Sequence, residues 1–235
     1  MERAERAERI LEVAGELLLS WGYARVTIDE IARRAKVGKG TVYLHWKTKE
    51  ALFLAVVLRI QSRSQQRQLA RMRTDPLEVL PSLTVSGLFR DILSEPALRA
   101  VYTDESDLLG RLNDTAKRDL AELMAHGERT VCCHLDVLRT HGLVRDDSDV
   151  HHQQYTLLAI ATGFYTAEAL HGDRAPGTPE VRVELLARTV RSALETGGDP
   201  ERVRDAAAAA APAVIALYEE LMELCAQEMR RQLRS

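Results

Sequence analysis

The stretch VTIDEIARRAKVGKGTVYLHWKTKEALF, Val26 to Phe53, decides how this chain is read. Ile28, Ile31 and Ala35 lie at helical spacing, with small Ala32 beside them, and Val37 and Val42 follow on either side of a Gly-Lys-Gly turn. Thr27 with Glu30 has the form of a capping box, which starts a helix at Ile28. Gly38, Lys39, Gly40 and Thr41 open a second short helix with little bulk, so its backbone can come close to a phosphate or a base edge. Along it Tyr43 and His45 alternate polar tips with Val42, Leu44 and Trp46, and Thr48 can cap a third helix from Lys49. Between Ile31 and Lys49 lie the six cations Arg33, Arg34, Lys36, Lys39, Lys47 and Lys49, with no carboxylate among them. Two short helices with a tight turn and concentrated positive charge are the pattern of a helix-turn-helix laid against DNA phosphates.

The rest of the chain differs in charge. Residues 1–63 carry a net +4 and the remainder a net −7, which together make the −3 of all 235 residues. A basic head on an acidic body implies two tasks in one chain. The N-terminus alternates charge, unlike a signal peptide, and no apolar run is long enough to span a membrane, so no membrane partner is expected. Three cysteines, Cys132, Cys133 and Cys225, make no disulfide framework, and a cytoplasmic location follows. No Gly-rich phosphate loop, G-x-S-x-G or paired-carboxylate face argues for an enzyme.

Strand signals are nearly absent, so the fold is expected to be all-α. The spacing predicts helices at residues 3–21, 28–35, 39–45, 49–72, 76–93, 96–102, 114–141, 149–171, 179–195 and 200–233. Asp75-Pro76, Thr178-Pro179 and Asp199-Pro200 each pair a cap with proline at the first helical position. Pro212, inside the last helix, is expected to kink or break it. The expected domains are residues 1–48, a three-helix DNA-binding head, and residues 49–235, a helical domain for effector binding and dimerisation.

The head resembles the TetR family of bacterial transcriptional regulators. Thr27, Ile31, Ala32, Ala35, Val37, Lys39, Gly40, Thr41, Tyr43, His45, Trp46, Lys49, Glu50 and Leu52 match that family's N-terminal signature. Ile10, Ala14, Leu17, Gly22 and Tyr23 match the helix before it. The resemblance covers about the first 55 residues. It implies a homodimer that binds double-stranded operator DNA and carries a small-molecule effector site in its C-terminal domain. On these matches the expected DNA contacts are Thr27, Lys36, Gly38, Lys39, Gly40, Thr41, Tyr43, His45, Trp46 and Lys49, with Lys39 reading bases and Thr41, Tyr43, His45 and Lys49 on phosphates. Lys36 departs from the signature, which has glycine at this turn. In a left-handed conformation it would cost roughly 1 kcal/mol, which a phosphate contact can offset.

In the body, Ala159, Gly163 and Ala167 stand four apart on one helix face, where a second backbone can come close. With Leu186, Val190 and Ala193 they are the expected dimer interface, a four-helix contact across a two-fold axis. Candidate effector-lining residues are Leu69, Phe89, Leu93, Tyr102, Leu109, Leu112, Met124, Cys133, Leu138, Leu158 and Tyr165. Only six aromatic residues follow Phe53, which suits an aliphatic pocket for a lipophilic effector better than an aromatic cage. Cys132, Cys133 and His134, with His126, His151 and His152, raise a metal- or thiol-responsive alternative. No C-x-x-C or H-x-x-x-H pair supports it, so no metal or cofactor is expected and the cysteines read as buried and structural. The remaining alternative is a DNA-binding dimer with no effector.

Overall fold

The computed structural model describes residues 2–103 and 118–233. They form ten α-helices: α1 (Glu2–Arg25), α2 (Ile28–Arg34), α3 (Lys39–His45), α4 (Lys49–Thr74), α5 (Pro81–Ser94), α6 (Pro96–Tyr102), α7 (Ala121–Thr140), α8 (Val150–His171), α9 (Pro179–Leu194) and α10 (Pro200–Gln232). Among these residues the only extended pairing recorded is one antiparallel bridge, Val144 with Glu195. The fold is all-α.

The helices fall into two compact units. One holds residues 1–63, 96–124 and 223–235, the other residues 64–95 and 125–222, so α4 gives its first part to one and its second part to the other.

In the first unit, Ile10, Ala14, Leu17 and Leu18 line one stripe of α1 and are essentially fully buried. They pack in one core with Ile31, Ala35, Val42, Trp46 and the α4 residues Leu52 to Leu58. Gly22, at φ 72° and ψ 158°, turns the chain sharply near the end of α1. Tyr23 then stands edge-on to Phe53, ring centres 5.3 Å apart.

The second unit is built around α5, which packs against α9, with α8 against both. Phe89 of α5 stacks on Tyr165 of α8 at 5.6 Å and meets Phe164 edge-on. Three buried polar groups tie its segments together. Asp91 accepts from Arg71 at 3.2 Å and Arg67 at 3.2 Å. A Cβ at Gly87 would lie 3.1 Å from the Arg71 guanidinium, so the glycine makes room for that pair. Glu195 is buried and accepts from the Ser82 backbone N–H at 2.8 Å, placing a carboxylate at the N-terminus of α5. His134 is held between the Val79 carbonyl, 2.7 Å from Nε2, and the Tyr218 hydroxyl, 3.1 Å from Nδ1. A carbonyl can only accept, so Nε2 carries the proton and Nδ1 accepts from Tyr218. Burial pushes His134 down to about 4, so it is neutral at physiological pH.

Two helix expectations are corrected. The single helix over residues 76–93 is a short 3₁₀ turn, Pro76–Val79, followed by α5 starting at Pro81. Pro81 has no N–H to donate and sits where a missing N–H costs nothing, at the first helical position. Conversely, α10 runs through Pro212 without a break. Ala208, whose carbonyl loses its helical donor there, and Pro212 are both exposed, so water can satisfy that carbonyl.

Candidate nucleic-acid interface

The turn between α2 and α3 is built from a helix stop that specifies its own geometry. The Thr27 hydroxyl accepts from the Glu30 N–H at 3.2 Å and starts α2. At the other end the Lys36 N–H donates to the Arg33 carbonyl and the Val37 N–H to the Ala32 carbonyl, at 3.3 and 3.0 Å. This paired-bond stop needs a left-handed residue after the cap, and Lys36 supplies it at φ 54°. Val37 then folds back onto the core, while Lys36 itself is exposed.

Seven residues long, α3 has two faces. Val42 and His45 are buried and Thr41 half-buried, which turns Lys39, Gly40, Tyr43 and Leu44 outward. Gly38 is its N-cap and offers no side-chain hydrogen bond. Among the described residues a Cβ at Gly40 would meet nothing within 4 Å, so their packing does not explain that glycine. Tyr43 is 38 % and Leu44 65 % exposed. Lys36, Lys39 and Lys47 are all exposed around this face. Lys39 pairs with Asp29 at 2.8 Å, which holds its ammonium above the usual lysine range. Arg33 and Arg34 both bind Glu30 and bring its carboxyl down to about 2.

Three expected DNA contacts are placed elsewhere. His45 is 5 % exposed and its ring lies against Trp46, 5.4 Å between centres. Burial, then the charges of Arg3 and Arg6, lowers its pKa, so the imidazole is a neutral core group. Trp46 is 1 % exposed and belongs to the same core; among the described residues its Nε1–H has no partner. Lys49 donates to the Tyr23 carbonyl at 2.6 Å with its ammonium 4.3 Å from the Tyr23 ring centre. That carbonyl is one of the orphaned acceptors at the end of α1, so Lys49 ties α1 to α4. The Tyr23 hydroxyl completes the tie by donating to Glu50 at 2.7 Å. Leu44, which the alternation along α3 groups with Val42 and Trp46, is exposed while those two are buried. The helical wheel of α3 was the available signal, since Leu44 lies about 100° from His45 and on the side of Gly40.

The effector candidates do not form one group. Leu69, Phe89, Leu138 and Tyr165 are buried and Leu93 half-buried in the second unit, whereas Cys133 and Leu158 are exposed on it. Tyr102 and Met124 belong to the first unit and are 36 % and 50 % exposed. Leu109 and Leu112 lie outside the described residues. Among the expected dimer contacts, Ala159, Gly163, Ala167 and Ala193 are exposed. Leu186 and Val190 are 0 % exposed, because α5 covers that face of α9, so they are core residues of one chain. The expectation of buried cysteines holds for Cys225 only; Cys133 is exposed and Cys132 half-buried, 3.7 Å from His151. Among the described residues no three His, Cys, Asp or Glu side chains are grouped to hold a metal. No helix there is long and apolar enough to cross a membrane.

A short capped helix, a left-handed stop and a second short helix with an outward basic face define a helix-turn-helix DNA-binding regulator. Residues 10–56 match the family model described as bacterial regulatory proteins, tetR family. Residues 10–56 are therefore a DNA-binding domain of that family's kind. It is 26 % identical over 178 residues to the HTH-type transcriptional repressor BepR of Brucella suis, covering 74 % of this chain and 84 % of that protein. The HTH-type transcriptional regulator YerO of Bacillus subtilis is 45 % identical over 51 residues, which span 22 % of this chain and only 18 % of that relative's length. Among solved structures, FadR from Bacillus subtilis in complex with stearoyl-CoA superposes with a TM-score of 0.59 at 18 % identity, over 77 % of this chain and 97 % of that one.

Proposed function

We propose that the protein is a cytoplasmic, ligand-responsive repressor. It binds a near-palindromic operator as a two-fold homodimer and leaves it when a small lipophilic effector binds the body. The observation that carries this reading is α3, whose outward face of Lys39, Gly40, Tyr43 and Leu44 is exposed and flanked by the exposed Lys36 and Lys47. The major groove admits a single helix, and fixed cations beside it supply the phosphate attraction. Dimerisation is supported by α8, where Tyr155, Leu158, Ala159, Gly163, Ala167 and Leu170 are exposed together. Among the described residues a Cβ at Gly163 would meet nothing within 4 Å, so their packing does not require the glycine.

An effector is supported by the repressor named among the relatives and by the acyl-CoA complex among the structural neighbours. The physical requirement is differential affinity: the effector must bind the DNA-free state more tightly, typically by ~1–3 kcal/mol. We place the lever in α4, a continuous helix from Lys49 to Thr74. A displacement at Leu69 or Met72 passes along it to Lys49 and so to the Tyr23 tie. Anisotropy titration of a duplex from the DNA flanking its gene, with and without stearoyl-CoA as probe, tests the reading. Specific binding weakened by the probe supports it; specific binding indifferent to lipophilic probes leaves a DNA-binding dimer with another effector class or none.

A further inference from the structure

We infer that Leu44 is a specificity-determining residue that reads thymine C5-methyl groups in the major groove. The inference rests on the DNA-binding reading above and adds to it the chemistry of one base contact. Leu44 is 65 % exposed, the highest exposure of any large apolar side chain among the described residues of the first unit. It sits at the C-terminal end of α3, one helical turn from Gly40 and on the same face. Gly40 adds no bulk, so the side chains that stand out from this face are Lys39, Tyr43 and Leu44.

These three differ in what they can do in a groove. Lys39 is a cation already paired with Asp29, and it can exchange that carboxylate for a phosphate or a guanine edge. Tyr43 brings a hydroxyl at the end of a ring. Leu44 has no donor or acceptor and cannot recognise phosphate, nor a base edge by hydrogen bonding. What an isobutyl group can recognise in the major groove is the one apolar feature there, the methyl group on thymine C5. Leaving the side chain in water forgoes its burial, and the described residues leave it 65 % exposed. The cations Lys36, Lys39 and Lys47 around the face set its occupant as a polyanion, which separates this leucine from an ordinary protein-docking patch.

The test uses the full-length protein and duplexes enriched by it from a random-sequence library. Each thymidine of an enriched duplex is replaced in turn by deoxyuridine, which keeps base pairing and O4 and removes only the methyl. We expect one or two positions in each half-site to lose about three- to fivefold in affinity per methyl. Leu44→Ala should lose a similar factor on the thymidine duplex and become indifferent to deoxyuridine at those positions. Its salt dependence should equal that of the unaltered protein, because no charge is removed. Exposure of this side chain means that the variant keeps its fold, verified by an unchanged thermal midpoint. Specific binding that no deoxyuridine substitution weakens overturns the inference and leaves the DNA-binding reading intact. So does a Leu44→Ala protein that remains as uracil-sensitive as the parent. Failure to enrich any duplex overturns both.

Discussion

Replacing Lys36 by glycine should make the protein more stable and a worse DNA binder at once. Lys36 holds the left-handed position of the stop between α2 and α3, at φ 54°. A side chain there costs ~1–2 kcal/mol, and glycine removes that cost. Glycine also widens the unfolded ensemble, which takes back ~0.4–1 kcal/mol. The net gain is about 0.5–1 kcal/mol, or a rise of about 1–4 °C in the thermal midpoint for a chain of this size. The backbone bonds from Lys36 to Arg33 and from Val37 to Ala32 survive the change, so α3 keeps its angle. The exposed ammonium is lost, and with it one phosphate contact per head. The plot of log affinity against log salt should become shallower by about 1 per head, with an affinity loss common to all sequences. Calorimetric melting and anisotropy titrations at several salt concentrations read both effects. A Lys36→Gly protein that melts lower refutes the strain argument, and an unchanged salt slope refutes the placement of this cation against phosphate.

Three further outcomes follow from other sites. His134 is neutral in the fold, lowered to about 4 from an ordinary 6.5, so the unfolded chain binds the extra proton between those values. Its contribution is fully present above pH 6.5 and is lost as pH falls towards 4, by about 3 kcal/mol in all. Denaturant titrations at pH 7 and pH 4.5 should therefore differ more for the parent than for His134→Gln, and an equal difference would remove His134 as the cause. Lys49→Met should lower stability by about 1 kcal/mol, through the Tyr23 carbonyl it leaves without its donor. It should leave the salt slope of DNA binding unchanged; a shallower slope would put Lys49 on phosphate after all. Asp29→Asn frees Lys39 from its partner and removes a carboxylate beside the interface. DNA affinity should rise by up to about fivefold, the scale of one exposed ion pair, and a fall would mean that the pair positions Lys39 for binding.

Much of this was legible in the sequence, and the misses share a physical cause. Thr27, Asp75 and Asp199 cap their helices as side chains of their kind do, because capping depends on a few neighbouring residues, whereas Thr178 caps without a side-chain bond. Lys36 was legible for the same reason, since its strain is set by the local turn. His45, Trp46 and Lys49 were misplaced because the core that buries His45 and Trp46 and the Tyr23 carbonyl that takes Lys49 come from other helices. Periodicity says which residues share a helix face and is silent on what covers it. Leu186 and Val190 show the same limit: an apolar stripe on α9 serves equally for a second chain or for α5, and it is α5 that fills it. Pro81 was a local signal that a helix over residues 76–93 had to break, and Pro212 shows why such a signal is not absolute on an exposed face.

The central claim is that α3 reads DNA sequence, and competition binding tests it most directly. Full-length protein is titrated with a duplex enriched from a random library, against a scrambled duplex of equal length and composition at physiological salt. The account predicts at least ~10³-fold preference for the enriched duplex, one pair of half-sites per dimer, and loss of that preference when Lys39 and Leu44 are both replaced by alanine. Equal affinity for both duplexes, or a preference that survives the double replacement, would contradict it.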